Sequence, residues 1–239
     1  MRDLLVIVPS RGRPERLRAM IEACLSLSEA DTDIAVGIDD DDPAAEAYEA
    51  FLRAFPPGYV FYTKAERRTL GAWTNRIAAE NAGQYRALAS LGDDHMPRTM
   101  SWDGLLLEAL DKLNDTGSGI AYGNDQHQGQ ALPTAPVISS DIVEALGWMC
   151  EPSLAHMYLD NVWRDLGRAA GCLAYVPGVV IEHVHPDAGK AVSDETYAAS
   201  LARTEADRQA YERWRNERMG IDVAKVRAVV ATSPVRGLP

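Results

Sequence analysis

Leu4-Leu5-Val6-Ile7-Val8-Pro9-Ser10-Arg11-Gly12-Arg13-Pro14 is the stretch that decides the fold. Leu4 to Val8 is apolar without alternation and rich in β-branched residues, which suits a strand buried on both faces. The run stops in a small, cationic loop. Pro14 then suits the first position of a helix, where its missing N–H has no intrahelical partner to lose. Leu17, Ile21, Cys24 and Leu25 follow at helical spacing.

The same sentence is written again downstream. Ile34 to Ile38 reads as a second buried strand. It ends in Asp39-Asp40-Asp41-Asp42-Pro43, where Asp42 is expected to cap and Pro43 to open a helix over Ala44 to Phe55. Pro56-Pro57-Gly58 breaks that helix, and Tyr59 to Thr63 is a third strand. Leu70-Gly71-Ala72-Trp73-Thr74-Asn75-Arg76 opens a helix expected to end near Gly83, and Ala87 to Leu91 is a fourth strand. Strand and helix in alternation predict an α/β fold with a mostly parallel, Rossmann-like central sheet flanked by helices.

Further on, the sequence predicts a helix over Leu105 to Leu113 and a strand over Gly119 to Gly123. The polar stretch Gly123 to Ala135 reads as a flexible loop. Pro136 to Ser139 is a strand, and Ser140 is expected to cap a helix over Asp141 to Leu146. A helix over Leu159 to Ala170 precedes two strands, Leu173 to Val176 and Val179 to His185. A long charged helix runs from Asp194 to about Met219. The expected organisation is one domain over 1–190, with halves 1–95 and 96–190, and a helical C-terminal extension over 191–239.

Composition narrows the function. With 239 residues, 46% hydrophobic and 25% charged, the chain reads as a soluble globular protein. No apolar run approaches the roughly 20 residues of a membrane span. The apolar stretch after Met1-Arg2-Asp3 is too short for a signal peptide, so the expected location is the cytoplasm, a host's cytoplasm for a phage protein. Cys24, Cys150 and Cys172 are odd in number and far apart, which suggests buried thiols in a reducing compartment. A net charge of -11 repels nucleic acid and anionic membranes over most of the surface. Arg203, Arg208, Arg213, Arg215, Arg218, Lys225, Arg227 and Arg236 are mostly interleaved with acids and read as a solvated helix face.

In open α/β sheets ligands collect at the carboxyl ends of the strands. Three predicted strands end there in polar groups: Pro9-Ser10-Arg11, Asp39-Asp40, and Leu91-Gly92-Asp93-Asp94-His95. The first is either a phosphate-receiving loop before a helix N-terminus or a plain turn with exposed arginines. No Gly-x-Gly-x-x-Gly and no Walker lysine accompanies it. Asp39 can orient a base or a ribose, since a carboxylate accepts from a ring N–H or a hydroxyl. Gly71 suits close approach of backbone to a ligand or simply starts a helix over a buried Trp73. Asp93-Asp94 aims hard oxygen ligands from a strand end, as a divalent cation against a diphosphate requires, though Gly-Asp-Asp is also an ordinary turn. His183 and His185 share a face at period two and can complete a metal site begun by carboxylates. Asp160 is either an N-cap or a general base.

In this order the segments resemble the nucleotide-diphospho-sugar glycosyltransferases of the A-type fold, especially inverting family 2 and related short phage and bacterial enzymes. The resemblance covers Leu4 to about His95 well and Ala135 to Pro186 more loosely. It implies a metal-dependent glycosyltransferase using a nucleotide-sugar donor, a UDP-sugar first, with inversion. It implies donor contacts at Pro9, Ser10, Arg11, Arg13, Asp39, Asp40, Gly71, Asn75 and Asp93. Mn2+ or Mg2+ is expected on Asp94, completed by His183 or His185, with Asp160 as the catalytic base; Leu159 stands where the family usually has Glu. The implied acceptor is a saccharide or a phage DNA base, and no membrane partner is expected. The alternatives are a sugar nucleotidyltransferase, which usually carries a glycine-rich first loop, and a non-catalytic nucleotide-sugar-binding module.

Overall fold

Leu4, Val6 and Val8 enter one core and Leu5 and Ile7 the other, all five fully buried. Alternation of side chains across a pleated strand therefore feeds two apolar layers from one continuous run. A computed structural model of the chain describes residues 1–56, 58–185, 189, 198 and 201–231. Its elements are β1 (Arg2–Ser10), α1 (Pro14–Leu27), β2 (Thr32–Asp39), α2 (Ala45–Leu52), β3 (Val60–Ala65), α3 (Leu70–Asn81), β4 (Tyr85–Ser90) and β5 (His95–Pro97). There follow α4 (Trp102–Leu113), β6 (Ile120–Asn124), β7 (Pro136–Ser139), α5 (Ser140–Leu146), α6 (Leu159–Ala170), β8 (Leu173–His183), α7 (Thr204–Glu217) and α8 (Met219–Ala231).

The eight strands form one sheet in the order β3-β2-β1-β4-β7-β6-β8-β5. The Rossmann-like half, β3-β2-β1-β4, is parallel throughout. Beyond β4 the sheet is mixed: β7 is antiparallel to β4 and β6, β8 is parallel to β6, and β5 is antiparallel to β8. One layer is built by α1, α2 and α4, through residues such as Met20, Tyr48 and Trp102. The other is built by α3, α5, α6, α7 and α8, through Trp73, Ile142, Trp163, Trp214 and Val226 among others. The C-terminal helices thus share a core with the sheet. Arg208 pairs with Glu205 and Glu212 on the exposed face of α7, and Lys225 reaches the buried Asp222, which also accepts from Trp214 Nε1.

Several expected boundaries move. The two strands read from Leu173 to His185 are one strand, β8, whose pairing with β6 jumps from Val176 opposite Gly123 to Val180 opposite Asn124. Pro177-Gly178 sits in that bulge and made one strand look like two. Ser140 does not cap α5: Ser139 holds the cap position, and the buried Ser140 hydroxyl has no partner. Thr69, not a glycine, caps α3 by accepting from the Ala72 N–H at 3.2 Å. Pro57, the Asp194 start of the last helix, Pro186 and Arg236 lie outside the described residues. No helix among the described residues is long and apolar enough to cross a membrane.

Candidate functional site

The ends of β1, β2 and β4 are neighbours in the sheet, so the three polar strand ends meet at one edge. At β1, the Ser10 hydroxyl donates to Asp93 Oδ2 at 2.6 Å, and the Arg13 guanidinium donates to Asp93 Oδ1 at 3.1 Å. Tyr48 from α2 supports both: its hydroxyl accepts from the Arg13 N–H at 2.7 Å and lies 2.9 Å from Ser10 Oγ. Burial and the neighbouring Asp94 push the Asp93 carboxyl up to about 6, against the pull of Arg13 and Ser10. Asp93 is therefore held by protein groups on both oxygens.

Asp39, at the end of β2, is equally engaged. Its Oδ1 accepts from Trp73 Nε1 at 2.7 Å and the Arg68 N–H at 3.0 Å, and its Oδ2 accepts from Arg11 at 3.0 Å. Arg11 also reaches Asp41 at 2.5 Å. Asp42 accepts from the Gly12 and Ala44 N–H groups, each at 2.8 Å, tying the first loop to the start of α2. Asp40 is exposed beside it, and Pro9 is half-buried in β1.

Gly71 and Asn75 are engaged with the protein's own backbone. A Cβ on Gly71 would lie 2.8 Å from the Leu154 carbonyl oxygen, so the backbone that approaches closely is the protein's own. The Asn75 amide donates to the Cys150 carbonyl at 2.7 Å and accepts from the Met149 and Cys150 N–H groups at 2.9 and 2.8 Å. Both residues fasten the segment between α5 and α6. The far end of that segment is fastened by Asp207 of α7, whose buried carboxylate accepts from the N–H groups of Ala155, His156 and Met157 at 2.8–3.0 Å.

The centre of the site is Asp94. His95 begins β5, and its register partner on β8 is His183, so their rings stack with centroids 4.2 Å apart. Asp94 Oδ1 lies 3.4 Å from His95 Nδ1, and Asp94 Oδ2 lies 3.6 Å from His183 Nε2. Burial works against ionising Asp94, but the two imidazoles outweigh it and hold the carboxyl well below the usual carboxylate range. Ligand atoms of Asp94, His95 and His183 all lie within 4.8 Å of one another. His185 follows β8; its ring lies 4.8 Å from that of His183 and stacks 5.9 Å from that of His127. His95 Nε2 and His183 Nδ1 are buried with no hydrogen-bond partner. The opposite nitrogens, His95 Nδ1 and His183 Nε2, face the Asp94 carboxylate, and a carboxylate with imidazole nitrogens is a donor set that fits a divalent cation.

The loop after β6, read as flexible, has a built frame. Asp125 Oδ1 accepts from the N–H groups of His127, Gln128 and Gly129 at 2.7–3.0 Å, Asp125 Oδ2 accepts from the Thr134 hydroxyl, and the Asp125 carbonyl accepts from the His183 N–H. It carries His127 to the His183 and His185 rings. Asp160 lies in the first turn of α6, whose cap position is Tyr158 in the left-handed region, so Asp160 is not the cap. Burial raises its carboxyl, opposed by the Asn161 N–H, Arg164 and the field of His183. The sequence reading missed Tyr48, Asp125, Asp207 and the place of His95 beside Asp94. An Asp just after a strand and before a polar loop is a signal for Asp125; nothing local marks Tyr48 or Asp207.

No protein-family model matches the chain, and no curated protein matches it. Solved structures do. Mannosyltransferase PcManGT from Pyrobaculum calidifontis, solved with GDP-Man and Mn2+, superposes with a TM-score of 0.60 at 12% identity, covering 100% of this chain and 79% of that one. S. aureus TarS 1-349 in complex with UDP-GlcNAc superposes at 0.55 and 11% identity, over 82% and 64%. A cytidylyltransferase from Leptospira borgpetersenii matches at 0.50 and 13% identity, over 73% and 75%. The chain spans 36% of the longer S. aureus TarS chain. The fold is that of the A-type nucleotide-diphospho-sugar transferases.

Proposed function

We propose that the chain is a glycosyltransferase that moves a sugar from a nucleotide-diphosphate donor to an acceptor hydroxyl, with a divalent cation at Asp94 and inversion at the anomeric carbon. The observation that carries this reading is the buried Asp94 carboxylate between two imidazoles, at the edge where β1, β2 and β4 end. Asp94 and His183 would hold Mn2+ or Mg2+, with His185 beside them. When bound, the cation neutralises charge on the departing nucleoside diphosphate. Ser10, Arg11 and Arg13 lie where that diphosphate enters, and Pro9, Asp39 and Asp40 where the nucleoside lies.

Asp160 accepts the proton of the acceptor hydroxyl. A carboxyl raised by burial is the stronger base, and inversion needs that base on the face opposite the diphosphate. His127 and its pinned loop restrict water, which would otherwise take the sugar. Gly71 and Asn75 contribute by fixing the segment that leads into α6. A saccharide is the first acceptor to test, because a net charge of -11 opposes a polyanion such as DNA.

The test is a thermal-shift screen of UDP-, GDP- and CDP-sugars with and without Mn2+. A ligand that binds the folded state raises the melting temperature by mass action. The expected result is a shift with one donor that needs Mn2+ and is lost in Asp94→Asn. If no nucleotide-sugar binds or is turned over, the proposal fails; turnover of a nucleoside triphosphate with a sugar phosphate would make the chain a nucleotidyltransferase instead.

A further inference from the structure

We infer that the pocket between β6, β8 and the second half of α6 is a remote acceptor subsite, which takes a sugar unit further along the acceptor from the one that reacts at Asp160. This rests on the reading of the chain as a glycosyltransferase with a saccharide acceptor and goes further, by making that acceptor an oligosaccharide.

The pocket measures about 290 Å³, with Tyr122 and Tyr175 of the sheet on one side, Arg168 of α6 on another and Gln130 above. That is the lower end of the roughly 300–1,000 Å³ of small-ligand pockets, a size for one ring with its substituents. It stands apart from the edge where β1, β2 and β4 end, because β6 and β8 lie beyond β7 in the sheet.

The helix α6 joins the two places. Residues four, seven and eight apart share a face of a helix. Asp160, Arg164, Gly167 and Arg168 therefore form one stripe, beside the buried face of Leu159, Val162, Trp163 and Leu166. Asp160 begins that stripe, and Gly167 and Arg168 line the pocket. At 1.5 Å per residue, Asp160 and Arg168 stand roughly 12 Å apart along the axis, a span for several linked sugars and not for one. The loop over 125–134 borders both places. His127 reaches the His183 ring, and the Gln130 carbonyl accepts from the Tyr122 hydroxyl at 2.8 Å.

Packing explains part of the pocket. Tyr122 and Tyr175 are register partners, a cross-strand aromatic pair with centroids 5.2 Å apart. A cation in the last turn of a helix suits its dipole. The last carbonyls of α6, however, are already taken. The Gly171 and Cys172 N–H groups donate to the Arg168 and Gly167 carbonyls at 3.2 and 2.9 Å, and Arg227 donates to the Ala169 carbonyl at 2.7 Å. Two groups are left over. The half-buried Tyr175 has a hydroxyl with no partner among the described residues, and the exposed Arg168 guanidinium pairs with no carboxylate among them. An aromatic ring and a planar fork of N–H donors are what a sugar needs. Its C–H face packs on the ring, and its hydroxyls accept from the fork.

The experiment titrates the full chain with mono-, di- and trisaccharides of glucose, mannose and N-acetylglucosamine, read by NMR. Unaltered protein, Arg168→Ala and Tyr175→Ala are compared, with the melting temperature of each as the check of folding. The inference expects the trisaccharide of one series to bind at least about tenfold tighter than its monosaccharide. Each variant should cut that ratio at least about fivefold, since each removes a contact made only by the distant unit. Equal affinity for one unit and three, a ratio that either folded variant leaves unchanged, or no binding in any series overturns the inference. The glycosyltransferase reading is judged apart, by the Mn2+-dependent donor shift that Asp94→Asn removes. If no donor binds while a trisaccharide still binds through Arg168, both fail and the chain is a saccharide-binding module. Should Tyr175→Ala not fold, Arg168→Ala, at an exposed position, decides alone.

Discussion

Replacing Gly92 by alanine tests the site's construction with a single methyl group. The φ of Gly92 is not in the left-handed region, so alanine fits the backbone. The side chain does not fit. An ideal Cβ would lie 2.5 Å from Asp94 Oδ1 and 3.0 Å from His95 Nδ1. Carbon and oxygen in contact stand at about 3.3 Å, so the carboxylate must retreat by roughly 0.8 Å. Asp94 is buried between two imidazoles at 3.4 and 3.6 Å, and such a retreat changes both spacings. Overpacking of a dense, buried site costs about 1–3 kcal/mol, read as a lowered urea midpoint at unchanged slope. On the proposed reading of Asp94 as the carboxylate that holds the cation, its displacement should weaken Mn2+ about 10- to 100-fold by calorimetry. A variant with the parent's urea midpoint and the parent's Mn2+ affinity would refute the claim that Gly92 is glycine because the carboxylate and the ring fill the space of its Cβ.

Three further outcomes are expected. Asp207→Ala orphans three backbone N–H groups, and at about 1–3 kcal/mol for each unsatisfied donor the net loss after water enters should be roughly 3 kcal/mol by urea unfolding; a loss below about 1 kcal/mol would mean the 155–157 segment is held otherwise. The folded Asp93 carboxyl, near 6 against an unfolded 3.8, binds protons more tightly in the native state, so its contribution to stability falls as pH rises from about 4 to 6 and stays lost above. Asp93→Asn should flatten that fall, worth at most about 3 kcal/mol, in urea melts at pH 4 and pH 7; an unchanged pH profile counts against the raised carboxyl. Burial pushes the thiol of Cys150 up to about 12 and that of Cys172 up to about 11, and raises Cys24 as well, so a thiol reagent should label none in the native chain and all three in denaturant.

The half of the fold that was easiest to read in the sequence is the half whose strands are buried on both faces. Leu4 to Val8 and Ile34 to Ile38 needed no partner to be recognised, and each ends abruptly in polar loop residues. β8 was harder, because Pro177-Gly178 writes a bulge and a strand break in the same letters. The strand-end groups of the site, Ser10, Arg13, Asp93, Asp94 and His183, follow from topology. Gly71 and Asn75 show the limit: a glycine and an amide at a helix start serve a ligand or the protein's own backbone equally, and only packing decides. Tyr48 reads as one more apolar helix residue until β1 places Ser10 and the Arg13 N–H against its hydroxyl. The stacking of His95 on His183 comes from β5–β8 register, which local pattern does not carry.

The three N–H groups gathered by Asp207 have a consequence for synthesis. Every residue at the edge of the sheet emerges from the ribosome before residue 207, yet the 155–157 segment has no carboxylate to close on until α7 is made. Chains fold from the N-terminus as they appear. The edge where β1, β2 and β4 end should therefore form early and wait, with the segment before α6 open until the final helices dock.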